Sequence, residues 1–305
     1  AQWKRLWGND AYGTMQRVVR EGFTSSDAVV IATFDGYWDA LSASALAGKL
    51  GAPVLLTASD ALSPACEAEI DRLDAKRAYI VGGTAAIGKD VQTAVERKGL
   101  SVKRLAGADA MGTAEAIATE ISSASSDTCI IATAGGYWDA LSASPYAYAT
   151  TSPIYLTGFD GVLSARTLGK IKAGGFKHAI IAGGPVAVDA GTEKQLAGIG
   201  IADVKRNAGA NAYGTSISMA KWALGQGMSA SGIGVATAGG YWDALCGAAL
   251  CGKNNAVMVL ADEGHAEAIG QVVAPNKTTM AKGYVFGGTA AVAANVLEEC
   301  ERATS

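Results

Sequence analysis

Carboxylates, guanidiniums, paired aromatics and paired glycines recur at matched positions along this chain, and each type could build a binding site. Asp39, Asp139 and Asp243 each follow a Tyr-Trp pair: Tyr37-Trp38, Tyr137-Trp138 and Tyr241-Trp242. The spacing predicts each aspartate in the first turn of a helix that starts at the carboxyl end of a strand. There a carboxylate either accepts backbone N–H groups at the positive helix end or faces a ligand as a hydrogen-bond acceptor. Adjacent residues on a helix point about 100° apart, so the two aromatics of a pair do not share one core. One packs, while the other joins copies or offers a flat face to a sugar. Arg5, Arg104 and Arg206 recur near glycine-rich turns. They read either as a fork for phosphate or carboxylate or as ion-pair partners of Asp10 and Asp109, whose third counterpart is Asn211. Gly82-Gly83, Gly183-Gly184 and Gly287-Gly288 each end an apolar run and precede a predicted helix. Free N–H groups at such a turn can cradle an anion, or the glycines simply permit a tight turn before a helix.

Catalysis is not expected. His178 and His265 do not correspond between copies, and Ser42 and Ser142 give way to Cys246 with no matching base. A repeated nucleophile, acid–base pair or metal cluster is missing, so no catalytic residue, metal or cofactor is assigned. The cysteines Cys66, Cys129, Cys246, Cys251 and Cys300 lack the CxxC spacing of a zinc or redox site and read as core fillers. The glycine turns match neither the dinucleotide nor the Walker-type phosphate pattern, which argues against nucleotide binding.

Three ordered blocks carry these residues. Arg5–Thr14 recurs as Arg104–Thr113 and Arg206–Thr215, Gly36–Leu41 as Gly136–Leu141 and Gly240–Leu245, and Gly82–Ile87 as Gly183–Val188 and Gly287–Val292. The chain is therefore one module written three times, with boundaries placed at residues 1–103, 104–205 and 206–305. In the first copy the pattern predicts helices over residues 12–21, about 38–50, 63–73 and 85–97. Buried strands are predicted over 28–33, 53–57 and 78–81, with a short strand over 101–105 leading into the next copy. Continuous apolar strands alternating with helices specify an α/β fold with mostly parallel sheets covered on both faces. Linkers of spacer composition are absent, so the copies pack together. The small residues Ser42, Ala43, Ser44, Ala45 and Ala47 suit a seam between them.

Composition sets outer limits. The 305 residues hold 39 Gly but only 6 Pro, and the net charge is −3, which gives no general attraction to nucleic acid or anionic membranes. No run reaches the roughly 18–20 apolar residues of a bilayer span. The chain begins at Ala1 without a visible leader, which reads as a processed protein or an excised fragment.

The pattern resembles the cell wall binding repeat 2 family of Gram-positive surface proteins. The resemblance rests on Arg5–Thr14, Tyr37–Leu41, Pro53–Thr57 and Gly82–Ile87, with counterparts in both later copies. It implies a pseudo-threefold disc of three α/β modules, an extracellular place on the cell wall, and non-covalent attachment to an anionic secondary wall polymer. It also implies an effector domain outside this chain. Ala11, Ala110 and Ala212 stand where the family carries an arginine, and the third copy drifts further, with Ala256 for proline and Cys246-Gly247-Ala248 for Ser-Ala-Ser. The repeated Arg, Tyr, Trp, Asp and Gly-Gly positions are the candidate polymer contacts. A hydrolase or nucleotide-dependent enzyme with one modified copy, and a protein–protein scaffold, stand as alternative readings.

Overall fold

The computed structural model describes residues 1–122 and 126–305. In chain order the strands are β1 (Gln2–Leu6), β2 (Ala28–Thr33), β3 (Val54–Thr57), β4 (Arg77–Val81), β5 (Ser101–Leu105), β6 (Thr128–Thr133), β7 (Ile154–Thr157), β8 (His178–Ala182), β9 (Asp203–Asn207), β10 (Ser229–Ala236), β11 (Ala256–Leu260) and β12 (Lys282–Phe286). The helices are α1 (Ala11–Gly22), α2 (Ala43–Leu50), α3 (Pro64–Arg72), α4 (Lys89–Arg97), α5 (Ala110–Ile121), α6 (Trp138–Thr150), α7 (Ala165–Gly174), α8 (Thr192–Gly198), α9 (Ala212–Gly225), α10 (Trp242–Lys253) and α11 (Ala294–Thr304). A 3-10 turn, Trp38–Ser42, leads into α2, and the third copy replaces the counterpart of α3 and α7 with a π-helical turn and a 3-10 turn over Ile269–Asn276.

The strands form three parallel four-stranded sheets ordered β3-β2-β4-β5, β7-β6-β8-β9 and β11-β10-β12-β1. Every residue of β2, β3, β6, β7 and β11 is buried, as expected of apolar strands covered by helices on both sides. The fourth strand of each sheet comes from the start of the following copy. β5 and β9, expected to lead into the next copy, complete the first and second sheets, and β1 completes the third by pairing Gln2–Leu6 with Lys282–Phe286. The ring thus closes through the chain's two ends: the Trp3 indole donates to Thr304 Oγ1 at 2.9 Å, at the end of α11.

The three helices that follow the Tyr-Trp blocks, α2, α6 and α10, pack on one another at the centre. Small residues set that approach. A Cβ on Gly48 would overlap the Tyr148 carbonyl, and one on Gly252 would overlap the Tyr148 side chain. Ser42, Ala43, Ser44, Ala45 and Ala47 are all buried in this seam. One expected boundary moves. The helix predicted from residue 85 begins at Lys89, because Ala86 and Ile87 both donate to the Gly83 carbonyl in a closed turn and Gly88 is extended.

Candidate functional site

The opening block works as scaffold, residue by residue. Asp10, Asp109 and Asn211 are N-caps: each side chain accepts the N–H of Gly13, Gly112 or Gly214, at 2.7, 2.7 and 2.9 Å. Gly8, Gly107 and Gly209 lie so close to those same helix starts that a Cβ would overlap Gly13, Gly112 and Gly214. Thr14, Thr113 and Thr215 fix the turn by accepting the N–H of Gly8, Gly107 and Gly209, each at 3.2 Å. The sequence signature Gly-x-Asp-x-x-Gly-Thr is a strand-to-helix corner.

The repeated arginines reach neither Asp10 nor Asp109. Each crosses from the fourth strand to the Gly-Gly turn that ends the third. Arg5 donates to the carbonyls of Gly287 (3.0 Å), Val292 (2.8 Å) and Ala293 (3.4 Å). Arg104 donates to Gly82 O (2.9 Å) and Gln92 Oε1 (3.1 Å). Arg206 donates to Gly183 O (2.9 Å), Val188 O (2.8 Å) and Asp189 O (3.1 Å), and its other edge pairs with Glu193. Burial lowers the Arg5 and Arg104 pKa values, which marks guanidiniums drawn away from water.

At the same turns, Gly82, Gly183 and Gly287 hold φ values of +108°, +128° and +104°, a region that favours glycine. Their N–H groups are already given to Leu105, Asn207 and Leu6 across the sheet. The second glycines, Gly83, Gly184 and Gly288, lead into a closed turn rather than a helix start, so the turn has no helix dipole behind it.

The repeated aspartates sit directly over the first glycines. A Cβ on Gly82 or Gly183 would stand 2.8 Å from the Asp39 or Asp139 carboxylate, and one on Gly287 would overlap that of Asp243. None of the three carboxylates takes a hydrogen bond from the described residues, and Asp243 Oδ1 is buried without a partner. They therefore do not cap their helices. Burial pushes Asp139 and Asp243 up to about 6.

Tyr-Trp pairs join the copies. Tyr37, Tyr137 and Tyr241 meet around the central axis with ring centroids 5.3, 5.9 and 6.0 Å apart, each also packed on its own tryptophan. Tyr137 Oη and Trp138 Nε1 both donate to the Ala238 carbonyl in the next copy, at 2.8 and 2.7 Å. Tyr241 and Trp242 do the same to the Phe34 carbonyl, and the Phe34 ring stacks with that of Tyr12. Each indole folds over the preceding glycine, Gly36, Gly136 or Gly240, where a Cβ would meet the ring.

Together these blocks outline a crevice at the carboxyl ends of the strands, the edge at which open α/β sheets bind ligands. It is best defined over the second sheet, with a volume of about 460 Å³ and a lining that includes Gly136, Trp138, Asp139, Gly184, Asn211 and Thr215. Because the fourth strand is exchanged, one wall comes from the following copy. Here Phe159 (68 % exposed) and Val186 (100 % exposed) add an apolar rim. The first copy has Ser59 and Ala85 at these positions, and the third has Glu263 and Ala290. The structure thus brings Trp138, Asp139 and Gly184 together at one crevice, while the arginine clamps lie behind the turns.

Sequence reasoning missed Thr133 and its counterparts Thr33 and Thr237, which order the crevice loop by accepting the N–H of Gly135, Asp35 and Gly239. Their recurrence at a fixed spacing before Gly36, Gly136 and Gly240 was the available signal. It also missed Lys4, Lys103 and Lys205, which precede the arginines; the first two pair with Glu21 and Glu120. All five cysteines are buried and free, and among the described residues no group of three or more His, Cys, Asp or Glu is placed to hold a metal ion. No described helix is long and apolar enough to cross a membrane.

Comparison with known proteins agrees with this architecture. The model of cell wall binding domain 2 matches three times, over residues 5–92, 104–193 and 206–297. The N-acetylmuramoyl-L-alanine amidase LytC of Bacillus subtilis is 27% identical over 97% of this chain and 57% of its own length. The amidase enhancer of the same organism is 28% identical over 96% of this chain and 39% of its own length. Solved structures of Cwp8 and Cwp6 from Clostridium difficile superpose with TM-scores of 0.86 and 0.82 at 26% and 23% identity. They cover 100% and 94% of this chain, and 52% and 46% of their own chains.

Proposed function

Because the chain belongs to the cell wall binding domain 2 family, with three modules in tandem, we propose that it anchors a surface protein by holding an anionic secondary wall polymer. Its place is the Gram-positive cell wall, and its modules are of a binding family rather than a catalytic one. The observation that carries the reading is the convergence of the repeated blocks on one crevice type at the carboxyl edge of the sheets. In it an unpartnered carboxylate can accept sugar hydroxyls, and Trp138 supplies an apolar face. The second, aromatic-rimmed crevice is the main contact in this reading. The closed ring fixes the crevices relative to one another, so weak contacts with a repetitive polymer add through effective concentration. An effector outside this chain, such as an amidase or an enhancer of one, is the cargo; the chain spans about half the length of the curated relatives it matches.

The test is sedimentation with purified Gram-positive walls before and after chemical release of the secondary polymer. Binding is expected to disappear with the polymer and to weaken as salt rises. Full binding to polymer-free walls would overturn the reading.

A further inference from the structure

One cleft, bordering the crevice of the third sheet, breaks the threefold pattern. It lies between the edge strand β1 and helix α1, has a volume of about 440 Å³, and its lining includes Lys4, Arg5, Trp7, Asn9, Arg17 and Arg20. Three of its side chains have no counterpart in the other copies. Trp7 aligns with Ala106 and Ala208, Asn9 with Ala108 and Ala210, and Arg17 with Ala116 and Ser218. Among the described residues, the same three are the lining donors whose side chains make no hydrogen bond or ion pair. Lys4 pairs with Glu21 at 2.5 Å, Arg20 with Glu69 at 2.9 Å, and Arg5 is held by backbone carbonyls. Among the described residues no partner reaches the Arg17 guanidinium, the Asn9 amide or the Trp7 indole N–H. Trp7 is 51 % exposed. Its ring rests over Gly288 of the third Gly-Gly turn, where a Cβ would come to 3.6 Å.

With Lys4 and Arg20 offset by carboxylates, Arg5 and Arg17 leave the cleft positive in a chain whose net charge is −3. We propose that this cleft binds an anionic sugar unit. The indole face covers the apolar face of a pyranose, Asn9 meets a hydroxyl, and Arg17 holds a carboxylate or phosphate carried by the ring. A planar fork beside an exposed aromatic suits a charged sugar better than a bare anion, which would leave Trp7 idle. The inference names the charge-reading contact of the polymer proposed above and rests on that reading for the source of the sugar.

The intact chain with 15N-labelled tryptophan indoles tests it, the Trp7 signal being assigned with Trp7→Phe. Trigalacturonate and glucose 6-phosphate supply the two anions, and maltotriose is the neutral control, all at low salt. A saturable shift of the Trp7 indole is expected with one or both anionic sugars, and which of them acts identifies the charged group. Arg17→Gln and maltotriose should each weaken the response by roughly tenfold or more. Arg17 is exposed, so the variant keeps the fold. A Trp7 signal that ignores both anions, an equal response to maltotriose, or an unchanged response in Arg17→Gln would overturn the proposal. Wall sedimentation separates the two readings: bound walls with a silent Trp7 defeat only the cleft, and a responsive Trp7 without wall binding defeats only the anchor.

Discussion

Replacing Arg206 with alanine distinguishes a clamp from a ligand group. The Arg206 side chain is 16% exposed and bonds to the carbonyls of Gly183 and Val188, both buried, as well as to Asp189. An unsatisfied buried carbonyl costs about 1–3 kcal/mol. Water entering the vacated space recovers part of that, so the two buried groups together put the loss near 3 kcal/mol. The pairing with Glu193, whose side chain is 40% exposed, adds at most about 1 kcal/mol. At roughly 2–4 °C per kcal/mol for chains of this order of size, the combined loss of about 3–4 kcal/mol should lower melting by about 6–16 °C. Arg104→Ala should cost about half as much, since Arg104 reaches one turn carbonyl and its Nη2 is buried without a partner. Arg206→Lys should recover little, because a point charge cannot span divergent carbonyls. Differential scanning calorimetry of the three variants, alongside wall sedimentation, reads out both effects. Unchanged melting with lost wall binding would refute the clamp and restore the arginine to the binding site.

The remaining predictions use the same turns. Gly287→Ala meets both a φ of +104° and the Asp243 carboxylate, and should destabilise by roughly 2–4 kcal/mol. Gly288→Ala, whose nearest neighbour is the Trp7 ring at 3.6 Å, should melt close to the parent; equal effects of the two would contradict the assignment. Asp139 and Asp243 are raised by burial from 3.8 to about 6, so the fold favours their neutral forms. Their contribution is therefore complete below about pH 4 and is lost as pH rises through about 6. Melting should fall between about pH 4 and 6.5 and level off above that, and the Asp139→Asn, Asp243→Asn double variant should remove most of that slope. A slope of the same size in the double variant would show that other groups set it.

Local pattern carried much of the fold. β2 was read at its observed bounds from the apolar run Ala28–Thr33, since a strand buried on both faces needs no tertiary information to be recognised. Strand partners were harder to read. Ser101–Leu105 alternates exposed and half-buried residues before the buried Leu105, like any edge strand, and nothing local states that it completes the sheet behind it rather than the one ahead. The start of α4 was misplaced because the Gly83 carbonyl closes a turn that has helical composition without helical continuation. At the site, type and spacing located the Gly-Gly turns and Trp-Asp pairs. They could not show that each aspartate lies over a glycine more than forty residues away, a contact made by sheet order. Arginine was the least legible, since a fork for backbone carbonyls and a fork for an anion have the same sequence. The asymmetry of Trp7, Asn9 and Arg17 was visible in the aligned blocks, and only the strand exchange shows that they face one cleft.

The most direct test of the central claim is a map of where soluble polymer released from walls touches the isotopically labelled chain. Backbone amide shifts should move at the carboxyl edge, over Gly135–Asp139, Gly184–Ala187 and Gly209–Thr215 and at their counterparts in the other copies. Residues at the amino ends of the strands, such as Asp127, His178 and Asp203, should stay still. Shifts confined to that opposite edge, or none at saturating polymer, would contradict the account.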